Sequence, residues 1–267
     1  MKLATILAAV VCTALIASNA LGSDEAARKE LAPTGNMRVG IAVAPTPGAG
    51  NVALVNGEAK GIGADLAREL AKKLGVAVAW VPYPNSGALT DAVTTGAWDV
   101  AFLPVDAQRK QKVDFGAAHL VLESTFLVAP GSAAQTLADV DKPGFRIMGV
   151  ENTATARAAA ASLKTATMNH LKGPDQLLEM LQTGKIDAIA LSRESLTQMA
   201  AKLPGSRVLP GAYLSSFVAV AVPKNKPAAL AYATAAVEEM KSSGMVRRSL
   251  DSLGMQSSTV APAGVKP

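Results

Sequence analysis

Apolar and polar residues fall along this chain in blocks whose period switches back and forth between that of a strand and that of a helix. Met37 to Ala44 is an apolar strand closed by Pro45-Thr46-Pro47-Gly48. Asn51 to Gly57 predicts a short hairpin arm with Asn56-Gly57 as its turn. Across Gly61 to Leu74, Ile62, Leu66, Leu70 and Leu74 stand four apart with Asp65, Arg68, Glu69, Lys72 and Lys73 between them. That is an amphipathic helix ended by Gly75. Val76 to Tyr83 is the next strand, and Ser86 to Thr95 a helix that Ser86 can cap and Gly96 closes. Asp99 to Leu103 is a buried strand stopped by Pro104. Strand, helix, strand, helix, strand predicts a parallel sheet with helices on its faces.

The pattern then repeats. Leu89 to Leu103 holds a helix, a Thr95-Gly96 stop, the acidic Asp99 and a buried strand; Leu177 to Leu191 holds a helix, a Thr183-Gly184 stop, Asp187 and another buried strand. Likewise Arg38-Val39-Gly40-Ile41 has a counterpart in Arg146-Ile147-Met148-Gly149-Val150, after which Glu151-Asn152-Thr153 leads into a helix from Ala154 to Leu163. Two matches in the same order predict two similar lobes. Two extended runs, Glu123 to Pro130 and Ser215 to Pro223, read as strands crossing between them, and Pro227 to Ser242 and Gly244 to Leu253 as closing helices packed on the first lobe. The expected division is lobe one over 36–127 and 217–255 and lobe two over 128–216, with a flexible lead at 23–35 and a loose tail at 256–267.

At the start of the chain, Lys2 precedes an apolar run from Leu3 to Ile16, followed by Ser18-Asn19-Ala20. This predicts a secretory signal peptide over 1–22, cleaved after Ala20 or Gly22; the run is too short for a membrane anchor. Cys12, the one cysteine, lies within it, so the mature chain has neither disulfide nor thiol, and export without disulfides points to a Gram-negative periplasm. With 49% hydrophobic and 18% charged residues there is ample material for a core. The net charge of +5 is scattered and aromatics are only 4%, so nucleic acid is set aside as a partner.

The candidate chemistry is sparse. Arg109 follows the Asp99 to Leu103 strand in a short polar turn, beyond the carboxyl end of a sheet strand, where ligands of open α/β sheets sit. Its guanidinium can grip a small carboxylate with two parallel hydrogen bonds; a solvated surface arginine is the alternative. Gly61-Ile62-Gly63 opens like a dinucleotide motif, but Leu66 stands where the third glycine belongs. His119 and His170 are far apart and lack acidic or cysteine neighbours at ligand spacing, so no metal is expected, and no cofactor. No Gly-x-Ser-x-Gly elbow occurs.

From Met37 to Met255 the chain resembles the polar-amino-acid class of periplasmic solute-binding proteins that serve ABC importers, with the type 2 periplasmic binding fold. The matching residues are Met37 to Ile41, Gly61 to Ala67, Gly96 to Phe102, Arg109 with Val113-Asp114-Phe115, and Gly184 to Ala188. The resemblance implies an α/β fold of two lobes, each a mostly parallel sheet flanked by helices, joined by two hinge strands. It implies that Arg109 clamps a ligand carboxylate, that Leu103 and Pro104 line the pocket with their backbone, and that Thr153 donates to the same carboxylate beside Asn152 and the helix end. Thr153 as an ordinary N-cap is compatible with that role. Thr46, Ser192, Arg193 and Glu123 are the further candidate binding residues; for Arg193 a solvated first turn is the alternative.

The chain departs from the class where ammonium groups are received. Ala42 and Ser192 stand at the places usually held by acids, and Pro45-Thr46-Pro47-Gly48 replaces a covering aromatic. Glu123 or Glu151 can supply a negative charge, or be hinge-surface carboxylates, so a carboxylate ligand with no α-ammonium is open. The expected function is a monomeric, non-enzymatic receptor for a small carboxylate-bearing solute, an amino acid or a relative, that delivers it to an inner-membrane ABC permease. The alternative is a periplasmic dehydratase of the cyclohexadienyl type on the same fold, with Glu123 or Glu151 as its acid.

Overall fold

The computed structural model describes residues 24–267, so the expected signal segment, residues 1–22, lies outside the described residues. The chain folds into two lobes strung along a nine-stranded sheet. In chain order the strands are β1 (Asn36–Ala42), β2 (Ala53–Val55), β3 (Glu58–Lys60), β4 (Ala77–Tyr83), β5 (Val100–Pro104), β6 (Val113–Val128), β7 (Ile147–Val150), β8 (Met168–Leu171), β9 (Ala188–Ser192), β10 (Arg207–Val208) and β11 (Leu214–Pro223). The sheet runs β4-β1-β5-β11-β6-β9-β7-β8, with β10 beside β6 and β2-β3 a separate hairpin. Strands β4, β1 and β5 are parallel and make the first lobe; β8, β7 and β9 are parallel and make the second. The hairpin turns as expected at Asn56 and Gly57, both with positive φ (53° and 79°), the geometry a two-residue turn matched to strand twist requires.

Between the lobes run β6 and β11, antiparallel to each other. β6 pairs with β11 as far as Ser124 and with β9 from Ser124 to Val128, so it changes neighbours inside one unbroken strand. Leu120 and Leu122 are buried in the first lobe's core, Phe126 and Val128 in the second's.

The helices are α1 (24–31), α2 (Ile62–Leu74), α3 (Ser86–Asp91), α4 (Ala107–Lys110), α5 (Leu137–Val140), α6 (Ala154–Ser162), α7 (Leu177–Gln182), α8 (Arg193–Lys202), α9 (Pro227–Ser242) and α10 (Met245–Ser252). α2 buries Ile62, Leu66, Leu70 and Leu74, the stripe its spacing predicts, and ends on Gly75 in the left-handed region (φ 68°). α9 and α10 close on the first lobe's core through Ala233, Val237, Val246 and Leu250.

The internal echo is a physical one. In the first lobe Arg38 binds Asp99 through its backbone N–H (3.0 Å), Nε (2.9 Å) and Nη2 (2.6 Å), and Asp99 N–H returns a bond to the Arg38 carbonyl. In the second, Arg146 binds Asp187 with the same three donors at 2.9, 2.9 and 2.7 Å, and Asp187 N–H returns to Arg146. Each pair ties the start of one strand to the entry of its neighbour.

Both ends of the described chain correct the sequence expectation. The lead is not flexible through 24–31: α1 packs Ala27 and Leu31 into the core without exposure, and the Glu30 carboxylate accepts the Ala229 N–H at the start of α9. The tail is not loose. Thr259 and Val265 carbonyls accept from Val121 and Ala118 N–H, and Ala261 N–H donates to the His119 carbonyl, beside the register shifts where β6 is imperfectly paired with β11. Its small residues allow that close approach.

His119 is fully buried, edge-on to Phe102 with ring centroids 5.5 Å apart, and neither ring nitrogen has a partner among the described residues. Burial, with the Lys241 charge adding to it, pulls its pKa down to about 3. The unfolded chain therefore takes up a proton at His119 below pH ~6.5 that the folded chain refuses until about pH 3, so stability falls as pH drops through that window, by on the order of 5 kcal/mol at full extent. Urea unfolding at pH 7, 5 and 4 of the native chain and of His119→Leu should show a shallower acid loss in the variant; equal slopes would remove His119 from the account.

Candidate functional site

A cavity of about 280 Å³ lies between the lobes. From the first lobe it is lined by the β1 exit and following loop (Ala42 to Thr46), Asn51, Asn85, Ser86 and Pro104. From the second come Thr153, Ala154 and Thr155 at the start of α6, Leu178, and Leu191, Ser192, Ser195 and Met199 around the start of α8. Among the described residues of the lining, only Asp175 and Lys202 carry a charge, and both are exposed.

Arg109 is placed by α4, whose start is capped by Asp106: Oδ1 accepts the Arg109 N–H at 2.9 Å. The side chain turns inward and is 1% exposed. Nε donates to Thr90 Oγ1 (3.1 Å), Nη1 to the Pro104 carbonyl (2.8 Å) and Nη2 to Ser86 Oγ (2.7 Å). Of the five N–H groups of a guanidinium, three are thereby matched. Burial lowers Arg109 to about 10 while Asp106 holds it up, so it stays charged at neutral pH. The solvated-surface alternative fails. Arg109 is nonetheless not itself part of the lining; it stands behind the wall, holding Ser86 and Pro104, which are.

Ser86 was expected to cap α3. Instead Asn85 does so, its Oδ1 accepting the Ala88 N–H at 2.8 Å, which frees the Ser86 hydroxyl for Arg109. Opposite, Thr153 caps α6: its Oγ1 accepts the Ala156 N–H (3.2 Å) and donates to the Val150 carbonyl (2.8 Å). The N–H groups of Ala154 and Thr155 belong to the first turn, which has no intrahelical acceptors for them, and both residues line the cavity. Ser192 caps α8 through a 3.4 Å contact from the Ser195 N–H, bringing a second helix start to the same space.

The lobes touch. A Cβ on Gly87 would lie 2.4 Å from Asn152 Cβ and 2.6 Å from its carbonyl oxygen, and one on Gly48 would lie 2.7 Å from Ser195 Oγ. Asn85 Nδ2 donates to the Lys172 carbonyl at 2.6 Å, and Asp106 Oδ2 is ion-paired with Arg157 of α6. Asn152 is in the left-handed region (φ 57°), which turns β7 into α6.

Of the candidate residues, Pro104, Thr46, Thr153 and Ser192 line the cavity; Thr46 offers its carbonyl to Asn51 Nδ2 at 3.1 Å. Leu103 does not, being wholly buried against Leu89 and Trp98, because the strand's alternation turns its side chain away. Asn152 serves as the contact with Gly87. Glu123 and Arg193 are spent on each other, Nε to Oε2 at 2.9 Å, with Arg193 also donating to the Leu209 and Gly211 carbonyls, and neither reaches the lining. Glu151 is outside it too. Sequence reasoning missed Asn51, Asn85, Ser195 and the latch residues Asp106 and Arg157. The adjacent cap-competent pair Asn85-Ser86 was the one signal present, since only one of the two can cap.

The model of the bacterial extracellular solute-binding proteins, family 3, matches residues 41–252. A curated relative, the probable histidine-binding protein of Campylobacter jejuni, is 28% identical over 147 residues, 54% of this chain and 56% of that protein, so the chain spans little more than half the length of the curated relative it matches. Among solved structures, a mutant of the arginine-binding protein ArgBP from T. maritima superposes with a TM-score of 0.75 at 22% identity, covering 85% of this chain and 99% of that one. An amino acid ABC transporter substrate-binding protein from Streptococcus pneumoniae bound to L-arginine gives 0.74 at 22%, covering 88% and 99%. The ancestral amino acid-binding protein AncCDT-1, a precursor of cyclohexadienyl dehydratase, gives 0.74 at 25%, covering 84% and 98%. These likenesses carry the type 2 periplasmic binding fold, and with the match over 41–252 the chain belongs to the bacterial extracellular solute-binding proteins, family 3.

Proposed function

We propose that this chain is a periplasmic receptor, exported by the signal segment at 1–22, that binds a small carboxylate-bearing solute, an amino acid or a related compound, between its lobes. It closes around the solute by bending at β6 and β11 and hands it to an ABC permease in the inner membrane. In this reading it works as a monomer and catalyses nothing. The lobe boundaries are those expected above, 36–127 with 217–255 and 128–216, and the strands crossing near Ser124 and Leu214 support them.

The observation that carries the reading is the facing of Ser86, backed by the buried Arg109 guanidinium on one lobe, and Thr153 with the opening turn of α6 on the other. A carboxylate between them accepts hydrogen bonds from both sides, so it stabilises the closed arrangement more than the open one. A dehydratase on this fold needs a carboxylic acid inside the cavity, and Glu123 and Glu151 both stand outside the lining.

Arg109→Ala should weaken a carboxylate hit from a thermal-shift screen of amino acids, dicarboxylates, polyamines and aromatic acids by about 1–3 kcal/mol, the usual cost of leaving buried groups such as Ser86 and the Pro104 carbonyl without their partner. Calorimetry is the measurement, with circular dichroism to show that the fold persists; unchanged affinity removes Arg109 from the site. Gly87→Ala tests closure instead. The added methyl favours helix α3 and leaves the unliganded melting temperature unchanged or slightly higher, but collides with Asn152 on closing. Affinity should fall about tenfold or more, on the order of 1.4 kcal/mol, with a larger radius of gyration at saturating ligand by X-ray scattering.

A further inference from the structure

The receptor reading leaves the substrate class broad, and the chemistry of the lining narrows it; this inference rests on that reading. An α-amino acid carries its ammonium on the carbon next to its carboxylate. A site that grips the carboxylate with Ser86 and the first N–H groups of α6, the turn that Thr153 caps, must therefore meet the ammonium close by with an anion or with open carbonyl oxygens, because a desolvated, unpaired ammonium is costly.

Among the described residues the inner wall supplies no anion, and carbonyls at the wall are already engaged in part. Its inner polar side chains, Thr46, Asn51, Ser86, Thr153, Ser192 and Ser195 among them, are all neutral. Asp175 is exposed at the edge and shares it with Lys202. The other acids nearby stand outside the lining: Glu123 pairs with Arg193, Asp106 with Arg157 and the α4 cap, and Glu194 accepts from the Ser258 hydroxyl of the tail through one oxygen only. Carbonyls at the wall are engaged as well, Pro104 by Arg109, Val150 by Thr153 and Thr46 by Asn51. What remains is positive or apolar. The start of α6 brings the N–H groups of Ala154 and Thr155 to the lining and Arg109 stands behind the wall, while Ala42, Val43, Leu122, Leu178, Leu191 and Met199 make the body. A cation is repelled by the field that attracts the carboxylate, whereas a neutral carbonyl or hydroxyl next to the carboxylate can accept from the hydroxyl and amide donors present.

We propose that the cavity selects a small monocarboxylate with an uncharged, mainly aliphatic body, such as a branched 2-oxo acid, over the α-amino acid of the same skeleton. Its small volume, about 280 Å³, fits a compact guest.

The test is titration calorimetry with matched pairs that differ only at C2: pyruvate and L-alanine, 3-methyl-2-oxobutanoate and L-valine, 4-methyl-2-oxopentanoate and L-leucine, with L-arginine and L-histidine added. The expected result is an oxo acid that binds at least about a hundredfold more tightly than its amino partner and than arginine or histidine. Ser192→Asp, which keeps a residue able to cap α8, should narrow that ratio tenfold or more by giving the ammonium an anion. An amino acid binding as tightly as its oxo partner, or an unmoved ratio in Ser192→Asp, overturns the inference. In the first case, loss of the amino acid's binding in Gly87→Ala leaves the receptor reading standing. If no compound of the panel binds, both fall.

Discussion

A guanidinium taken out of water is the constraint around which the cleft is built. Burying Arg109 is tolerable because three of its donors meet Thr90, Pro104 and Ser86, and because Asp106 stands 3.8 Å from Nε. Asp106 cannot serve Arg109 alone, since the same Oδ2 pairs with Arg157 across the cleft. When the lobes meet, one carboxylate thus faces two guanidiniums, one from each lobe. Where the lobes meet, this contact therefore carries a local excess of positive charge. In the proposed reading an anionic guest offsets it, which couples capture to closure.

The lobes that bring these charges together are built alike, and their likeness was legible in the chain. The Thr-Gly stops and the acids four residues past each threonine, Asp99 and Asp187, marked a repeated unit, and the structure gives it a reason: each acid binds the backbone and side chain of an arginine at the start of a neighbouring strand. Such pairs are individually modest in energy where exposed, as around Arg146, but they fix which strand enters beside which. Period and turn chemistry likewise placed α2, the Asn56-Gly57 turn and the two crossing strands, because each depends on residues close in sequence.

What the chain did not disclose depends on partners far along it. α1 has only Ala27 and Leu31 to bury, too few to show a period, and its order comes from the core they enter and from Glu30 at the start of α9. The tail from Gln256 has a composition common to loose ends, yet it finds backbone groups on β6 beside the register shifts. Glu123 and Arg193 are seventy residues apart and cancel each other as binding groups, which no local pattern reveals. At the site, the fault was subtler: Asn85 and Ser86 are both good caps, and only the geometry of Arg109 decides that the asparagine caps and the serine binds.

The sign of the cavity's charge illustrates why residue types alone underdetermine a binding site. Apart from Arg109 and the exposed Lys202, the positive character here comes from the opening of α6, that is, from backbone N–H groups any sequence would carry at a helix start. Residue identity contributes chiefly by what it withholds. Ala42 at the β1 exit and Ser192 at the start of α8 are both uncharged, so among the described residues the lining opposes the α6 helix end only with the exposed Asp175. A single acid at either place would reverse the balance without altering a strand or a helix, so within one fold the ligand's charge is set by one or two side chains acting against a fixed backbone field.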